Sequence, residues 1–369
     1  MKKLVLILSY FISLTPVSLG QDFITTKLDS LFDYIERRNK AMGSIVISKE
    51  GRSIYSRAIG YSNLSNKNPI RATVKTMYRI GSVSKLYTAT IIFQLIEEGK
   101  LDLDTKLAKY FPKVTNAKSI SIANLLNHRT GIPQLKELAS KAQARTQKEL
   151  LEIICANKPK CLPGKQYIYS NINYLLLGYI IEKITGHSFE SVLRQRVVAK
   201  LGLVSTKIAQ GPGEFSNESL PYRFKHNWKE IKQTHPSILG ASGAIISTPA
   251  DMVKFIEAIF TIKLLSKKSL DKMMTLTDDY GMGMVQFEFY EKKAYGHPGG
   301  IDRFETVLAY FPGDKLAIAY CSNGVVSPVK EIMMAVLNIY FERRMPLAFL
   351  AAEVPEFISQ HAPDRKNKL

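Results

Sequence analysis

The sequence predicts an α+β fold: one antiparallel sheet flanked by helices, with an all-helical lobe inserted between its first and last strands. Three observations carry that prediction. β-rich runs occur near both ends of the chain, at 43–48 and 54–59 and again from about 282 to 321; helical patterns fill about 105–235 between them; and 369 residues suit two lobes or one large domain. A cleft between two such lobes is the usual place for a site.

The elements follow in chain order. Lys2 and Lys3 precede a charge-free apolar run over 4–19, and Ser18-Leu19-Gly20 puts small residues at −3 and −1. That is the three-part pattern of a signal peptide over 1–20, cut before Gln21, and it predicts a periplasmic or secreted protein. The run is short for a bilayer span and holds Pro16, and no later segment is long and apolar enough to span a membrane once the leader is removed. Leu28, Leu31, Phe32 and Ile35 recur at helical spacing, giving a helix over 22–39. The strands 43–48 and 54–59 flank Lys49-Glu50-Gly51-Arg52, a hairpin signal. Residues 82–98 are apolar on nearly every face and stop at Gly99, the pattern of a buried central helix.

Helices are expected at 122–128, 146–156, 173–185 and 189–201, with Gly-Pro and Asn-rich turns between them. A helix at 249–260 and strands at 282–290, 304–310 and 316–321 follow. The last helix is capped by Ser327 and started by Pro328, with Val329, Ile332, Met333, Val336 and Ile339 on one face. The domain is thus expected over 21–345, and 346–369 reads as a loosely held tail.

Composition narrows the class. With 46% hydrophobic residues and 10% aromatic, the chain is globular in character, neither disordered nor a disulfide scaffold. The net charge of +19 suits a basic solvated surface and suggests anionic cell-envelope polymers as partners; loss of the leader would leave 49 basic and 32 acidic residues, a net +17. No zinc spacing and no RNA-binding aromatic motif accompanies that charge, so nucleic acid is not expected as a partner. Cys155 and Cys161 either close a small disulfide or stay free thiols, and Cys321, ending an apolar run, reads as a small core side chain.

Chemistry concentrates in three places. Ser82-Val83-Ser84-Lys85 opens the buried helix after Gly81, and residues i and i+3 share a helix face, so the Ser82 hydroxyl and the Lys85 amine lie side by side. A serine hydroxyl needs a base, and burial together with the positive end of the helix dipole lowers a lysine pKa toward that task. Tyr169-Ser170-Asn171 precedes another helix; Tyr169 beside a cationic lysine can be held partly ionised or relay a proton, and Asn171 can donate to a substrate carbonyl. In Gly296-His297-Pro298-Gly299-Gly300, Pro298 lacks an N–H and so marks a sheet edge or a strand start, where a substrate backbone can add as a further strand. Gly299 and Gly300 permit close approach, and the N–H groups of Gly300 and Ser82 can form an oxyanion hole.

The order and spacing of S-x-x-K near 80, Y-x-N near 170 and H-x-G near 300 closely resemble the serine β-lactamase/DD-peptidase superfamily, in particular its class C-like branch of β-lactamase-related serine hydrolases. The resemblance spans about 25–345 and includes Leu-Leu-Asn-His-Arg-Thr-Gly-Ile-Pro at 125–133, Gly-Ala-Ser-Gly-Ala-Ile-Ile-Ser-Thr at 240–248, and 304–323. It implies a β-lactamase/transpeptidase-like fold, Ser82 as the acylated nucleophile, Lys85 and Tyr169 as the proton-transfer pair, Asn171 as a positioning residue, and His297 where the lysine of K-T-G usually stands. An H-x-G third motif looks more like DD-peptidases, D-amino-acid-specific peptidases and esterases than like efficient class C β-lactamases.

The expected activity is therefore an exported serine hydrolase acting through a Ser82 acyl-enzyme on D-amino-acid peptides of the cell-wall type. Small-ester or lactone hydrolysis, β-lactamase activity and a slowly acylated penicillin-binding sensor without turnover stand as alternatives. If His297 replaces a fixed cation, it should charge between about pH 5.5 and 7.5 and favour carboxylate-bearing substrates as pH falls. No cofactor is expected: His128, His187, His226, His235 and His361 lack metal-ligand spacing, and no H-E-x-x-H or G-x-S-x-G occurs.

Overall fold

The structure, a computed structural model, describes residues 18–343 apart from 65–67, 135–142, 212 and 214. Most of the leader and the expected tail therefore lie outside the described residues. A six-stranded antiparallel sheet forms the centre, built from β1 (Ala41–Lys49), β2 (Arg52–Ile59), β3 (Val285–Phe289), β4 (Lys292–Ile301), β5 (Phe304–Phe311) and β6 (Leu316–Val325) in the order β3-β4-β5-β6-β1-β2. The N-terminal hairpin joins the C-terminal strands through β1 and β6, with Ile45 opposite Tyr320. Strands from both ends of the chain do share one sheet.

Side-chain alternation gives that sheet two buried faces. Along β6, Leu316, Ile318 and Tyr320 enter one core while Ala317, Ala319 and Cys321 enter the other. The first core lies under α1 (Ser18–Arg37) and the last helix, α6 (Val329–Tyr340), which pack against each other. Leu28, Leu31, Phe32 and Ile35 form the buried stripe of α1, as their spacing predicts. Asp29 and Asp33, on the outer side, pair with Arg57 of β2. The second core holds α2 (Ser84–Glu97) and α5 (Pro249–Phe260), whose Tyr87 and Phe255 stack with ring centroids 3.6 Å apart. Every residue from Ser84 to Leu95 is buried, which is why α2 shows no amphipathic stripe.

Several boundaries move for local reasons. The 173–185 helix begins two residues earlier, as α4 (Asn171–Thr185), because the Ser170 hydroxyl accepts the Ile172 N–H and caps it; α3 (Gln147–Ala156) is capped by Thr146. Residues 189–201 are helical throughout but pass through one π turn, Arg194–Val198. In the stretch expected to be helical over 105–235, the regular elements between 105 and 201 are, among the described residues, helices joined by turns, and beyond Leu201 short strands appear: Lys207–Ile208 pairs with Ile245–Ser247, and Tyr222–Phe224 with Trp228–Glu230. Ser327 does not cap the last helix. Pro328 holds the cap position with no side-chain bond and Val329 is the first helical residue.

Cys155 and Cys161 are free thiols, and Cys321 is buried with its sulfur 3.5 Å from that of Met252. Among the described residues no helix is long and apolar enough to cross a membrane.

Candidate active site

Ser82 sits in a single 3-10 turn, Gly81–Val83, that leads straight into α2. Gly81 adopts φ +52, and a Cβ there would stand 2.9 Å from the Gly300 nitrogen; one on Gly299 would stand 2.1 Å from the Ile80 carbonyl oxygen. The turn and β4 thus touch backbone to backbone. β4 can make this contact because it pairs with β5 from Tyr295 to Ile301 but with β3 only as far as Gly296. From His297 onward its outer edge faces the Ser82 turn, and Pro298 lies in that part, as its missing N–H requires. Gly300 itself would accommodate a Cβ, whose nearest neighbour stands 4.0 Å away.

Segments distant in the chain bring the remaining candidates to Ser82. The Lys85 amine lies 3.1 Å from Ser82 Oγ, 2.8 Å from Asn171 Oδ1 and 2.9 Å from the Ser242 carbonyl oxygen. Lys85 is fully buried, and desolvation holds its pKa well below the ordinary lysine value. A neutral amine there can donate its two N–H bonds to the two carbonyl oxygens and aim its lone pair at the Ser82 hydroxyl. The Tyr169 hydroxyl donates to Ser82 Oγ from the other side, at 2.8 Å. The expectation of a partly ionised Tyr169 does not hold: although its ring is 36% exposed, the hydroxyl points into the site, and burial pushes its pKa up. Its proton stays on, ready to be given.

His297 overturns a second expectation. Its side chain is buried, Nδ1 lies 2.5 Å from the Pro298 carbonyl oxygen, and Nε2 lies 3.0 Å from the Tyr280 hydroxyl. These partners suit one tautomer, Nδ1 donating and Nε2 accepting. Burial above all pushes the pKa down to about 3, so the imidazole is neutral throughout pH 5.5–7.5 and offers no titrating cation.

Three groups around the site escaped sequence reasoning. Tyr280, the partner of His297, arrives from a turn with no recognisable pattern. His128 and Ser242 lie inside the stretches 125–133 and 240–248, but neither stood out by type. His128 is buried with its Nδ1 3.0 Å from Asn173 Nδ2 and 3.3 Å from the Ser170 N–H, and its ring centroid stands 4.4 Å from that of Tyr169. Its burial lowers the pKa well below the usual value, so a neutral ring supports Tyr169.

A cavity of about 550 Å³ opens over Ser82, lined among others by Tyr167, Tyr169, His297, Gly300 and Arg303. An activated hydroxyl beside a depressed-pKa amine, a protonated phenol and an open strand edge can carry out acyl transfer.

The Beta-lactamase family model matches residues 31–339. The teichoic acid D-alanine hydrolase of Staphylococcus aureus is 26% identical over 293 residues, 76% of this chain and 70% of that protein. The D-amino acid amidase of Ochrobactrum anthropi SV3, complexed with D-phenylalanine, superposes with a TM-score of 0.77 at 24% identity, covering 87% of this chain and 99% of that one. The octameric penicillin-binding protein homologue from Pyrococcus abyssi superposes with a TM-score of 0.73 at 25% identity, covering 86% and 77%.

Proposed function

The chain belongs to the Beta-lactamase family and is a serine hydrolase, and from that premise we propose that it is an exported enzyme whose Ser82 forms an acyl-enzyme with D-amino-acid derivatives, cell-wall-type peptides above all. The observation that carries this reading is the placement of Ser82 Oγ between the buried Lys85 amine, 3.1 Å away, and the Tyr169 hydroxyl, 2.8 Å away.

In the proposed cycle, neutral Lys85 takes the Ser82 proton as Oγ attacks the scissile carbonyl carbon. The oxyanion of the tetrahedral intermediate accepts from the N–H groups of Ser82 and Gly300, and the Asn171 amide nitrogen donates to a second carbonyl of the substrate, away from the scissile bond. When the bond to the leaving group breaks, Tyr169 gives its proton to the departing nitrogen or oxygen and recovers one from the Lys85 ammonium. Water then repeats the sequence on the acyl-enzyme and restores Ser82. An extended substrate adds along the edge of β4 at Gly299 and Gly300.

The Staphylococcus aureus relative and the +19 charge favour a second substrate for the same site, a D-alanyl ester on an anionic cell-envelope polymer. Turnover of D-Ala-D-Ala peptides, D-alanyl esters, p-nitrophenyl esters and a chromogenic cephalosporin decides between these. Multiple turnovers on a D-alanyl peptide or ester support the proposal, whereas a stoichiometric burst with no turnover on any substrate replaces it with the penicillin-binding sensor.

A further inference from the structure

With His297 neutral and Lys85 enclosed, any negatively charged group on a substrate must find its counter-charge elsewhere. Of the described residues that line the cavity over Ser82, Arg303 alone presents an exposed positive side chain. It stands at the tip of the β4–β5 hairpin, where Ile301 pairs with Phe304 and Asp302-Arg303 forms the two-residue turn. Both turn residues take positive φ, +49 and +72, in a turn type whose second position ordinarily belongs to glycine.

The tip is held in place. The Asp302 carboxylate accepts from the Thr234 N–H at 2.6 Å and the Thr234 hydroxyl at 2.8 Å, and the Thr234 carbonyl accepts in turn from buried Arg79 at 2.8 Å. Among the described residues the Arg303 guanidinium has no hydrogen-bond or salt-bridge partner. Its electrostatic counterpart is Glu305, which touches the rim of the same cavity. Glu305 shares its strand face with Val307, which packs toward α6, while Phe304 and Leu308 enter the core that holds α2. Arg303 and Glu305 both also line a second cavity, between the sheet and α6, so the pair stands where the two cavities meet.

We infer that Arg303 is a specificity-determining residue of this site, its guanidinium engaging an oxyanionic group, carboxylate or phosphate, on the departing part of the substrate. The inference rests on the serine-hydrolase reading of Ser82. Both proposed substrate classes carry the anion there: the C-terminal carboxylate of a departing D-alanine, or a phosphate on a departing polymer alcohol. Guanidinium meets either oxyanion in a forked, charge-assisted geometry.

Two matched pairs test it: a D-Ala-D-Ala peptide against its C-terminal amide, and the D-alanyl ester of glycerol phosphate against that of glycerol. Each is measured in wild-type protein, Arg303→Gln, Arg303→Lys and Arg303→Gly. Loss of one charge-assisted contact should lower kcat/KM for the anionic member by about 10- to 100-fold in Arg303→Gln while the neutral member changes less than about threefold. Arg303→Lys should recover part of the loss. Arg303→Gly should lose the discrimination with a Tm equal to or above that of the wild type, since glycine suits the turn. The pair that shows the effect identifies the anion as carboxylate or phosphate. Equal rates for both members of both pairs in the wild type, or parallel losses in the variants, overturn the role of Arg303 and leave the hydrolase reading standing. No turnover of any of the four, with Ser82 unlabelled by a fluorophosphonate, overturns the hydrolase reading and the inference with it.

Discussion

At the scale of single residues, what distinguishes Ser82 from its neighbours Ser84 and Ser170 is the company it keeps. The Ser170 hydroxyl is spent on a helix cap and on the Pro133 carbonyl, and Ser84 is buried in α2 with its Oγ accepting the Ile245 N–H. A fluorophosphonate or penicillin adduct is thus expected on the Ser82 peptide in intact-protein and tryptic mass spectra. An equal yield on Ser82→Ala would refute the assignment. Lys85→Ala and Tyr169→Phe should each lower kcat by about 100-fold or more, with a double variant little worse than either, because both act on one proton. Wild-type turnover in Tyr169→Phe would make that residue structural.

The depressed pKa of Lys85 means that kcat/KM should rise as pH increases through it, toward the neutral amine. His297, at about 3, adds no limb above pH 5, so the preference for an anionic over a neutral substrate should stay flat from pH 5.5 to 7.5. A selectivity that grows as pH falls would show a titrating imidazole. Stability carries the opposite signature. Between about pH 6.5 and 3 the unfolded chain binds a proton on this histidine and the folded chain does not, so the unfolding free energy should fall by up to about 1.4 kcal/mol per unit of acidification. Denaturant midpoints for wild type and His297→Gln read the difference, which vanishes if the ring is already charged at neutral pH.

Among the elements, the contact between the edge of β4 and the Ser82 turn sets the geometry of the site, and two adjacent glycines separate cause from coincidence. A methyl on Gly299 would collide with the Ile80 carbonyl at 2.1 Å, whereas one on Gly300 meets nothing closer than 4.0 Å. Gly299→Ala should therefore cost about 1–3 kcal/mol of stability and most of the turnover, and Gly300→Ala should fold normally and turn over within a few-fold of wild type, since alanine keeps the N–H. Equal tolerance of both, read by Tm and kcat, would mean that β4 can retreat. Elements with a strong local signal were legible from sequence: α1 by its apolar spacing, α2 by its all-round apolar run stopping at Gly99, and α5 as the helix that Pro249 opens. The short strands near 207, 222 and 228 were not, because two- or three-residue pairings take their stability from partners far along the chain.

For the whole molecule, the excess of 51 basic over 32 acidic side chains creates a long-range field that acts on charged partners and leaves small neutral ones alone. Raising ionic strength from about 0.02 to 0.3 M shortens the Debye length from roughly 20 to 6 Å. It should lower kcat/KM for D-alanine release from an anionic polymer by about tenfold or more while p-nitrophenyl ester cleavage stays constant. Identical salt dependence of the two would remove the polymer as a favoured substrate.

For Ser82, Lys85, Tyr169, Asn171 and His297, the residue types, their order along the chain and the elements that bear them were determined by sequence, since an i, i+3 pair and a proline at a strand edge are local relations. Which of those residues are neutral was decided only by tertiary structure. Protonation depends on burial and on partners distant in sequence: Ser242 and Asn171 for Lys85, Tyr280 for His297, His128 packed against Tyr169. So His297, which by type could be a cation, is a neutral buried ring, and the exposed positive charge over the cleft belongs to Arg303, at the tip of the hairpin that follows it.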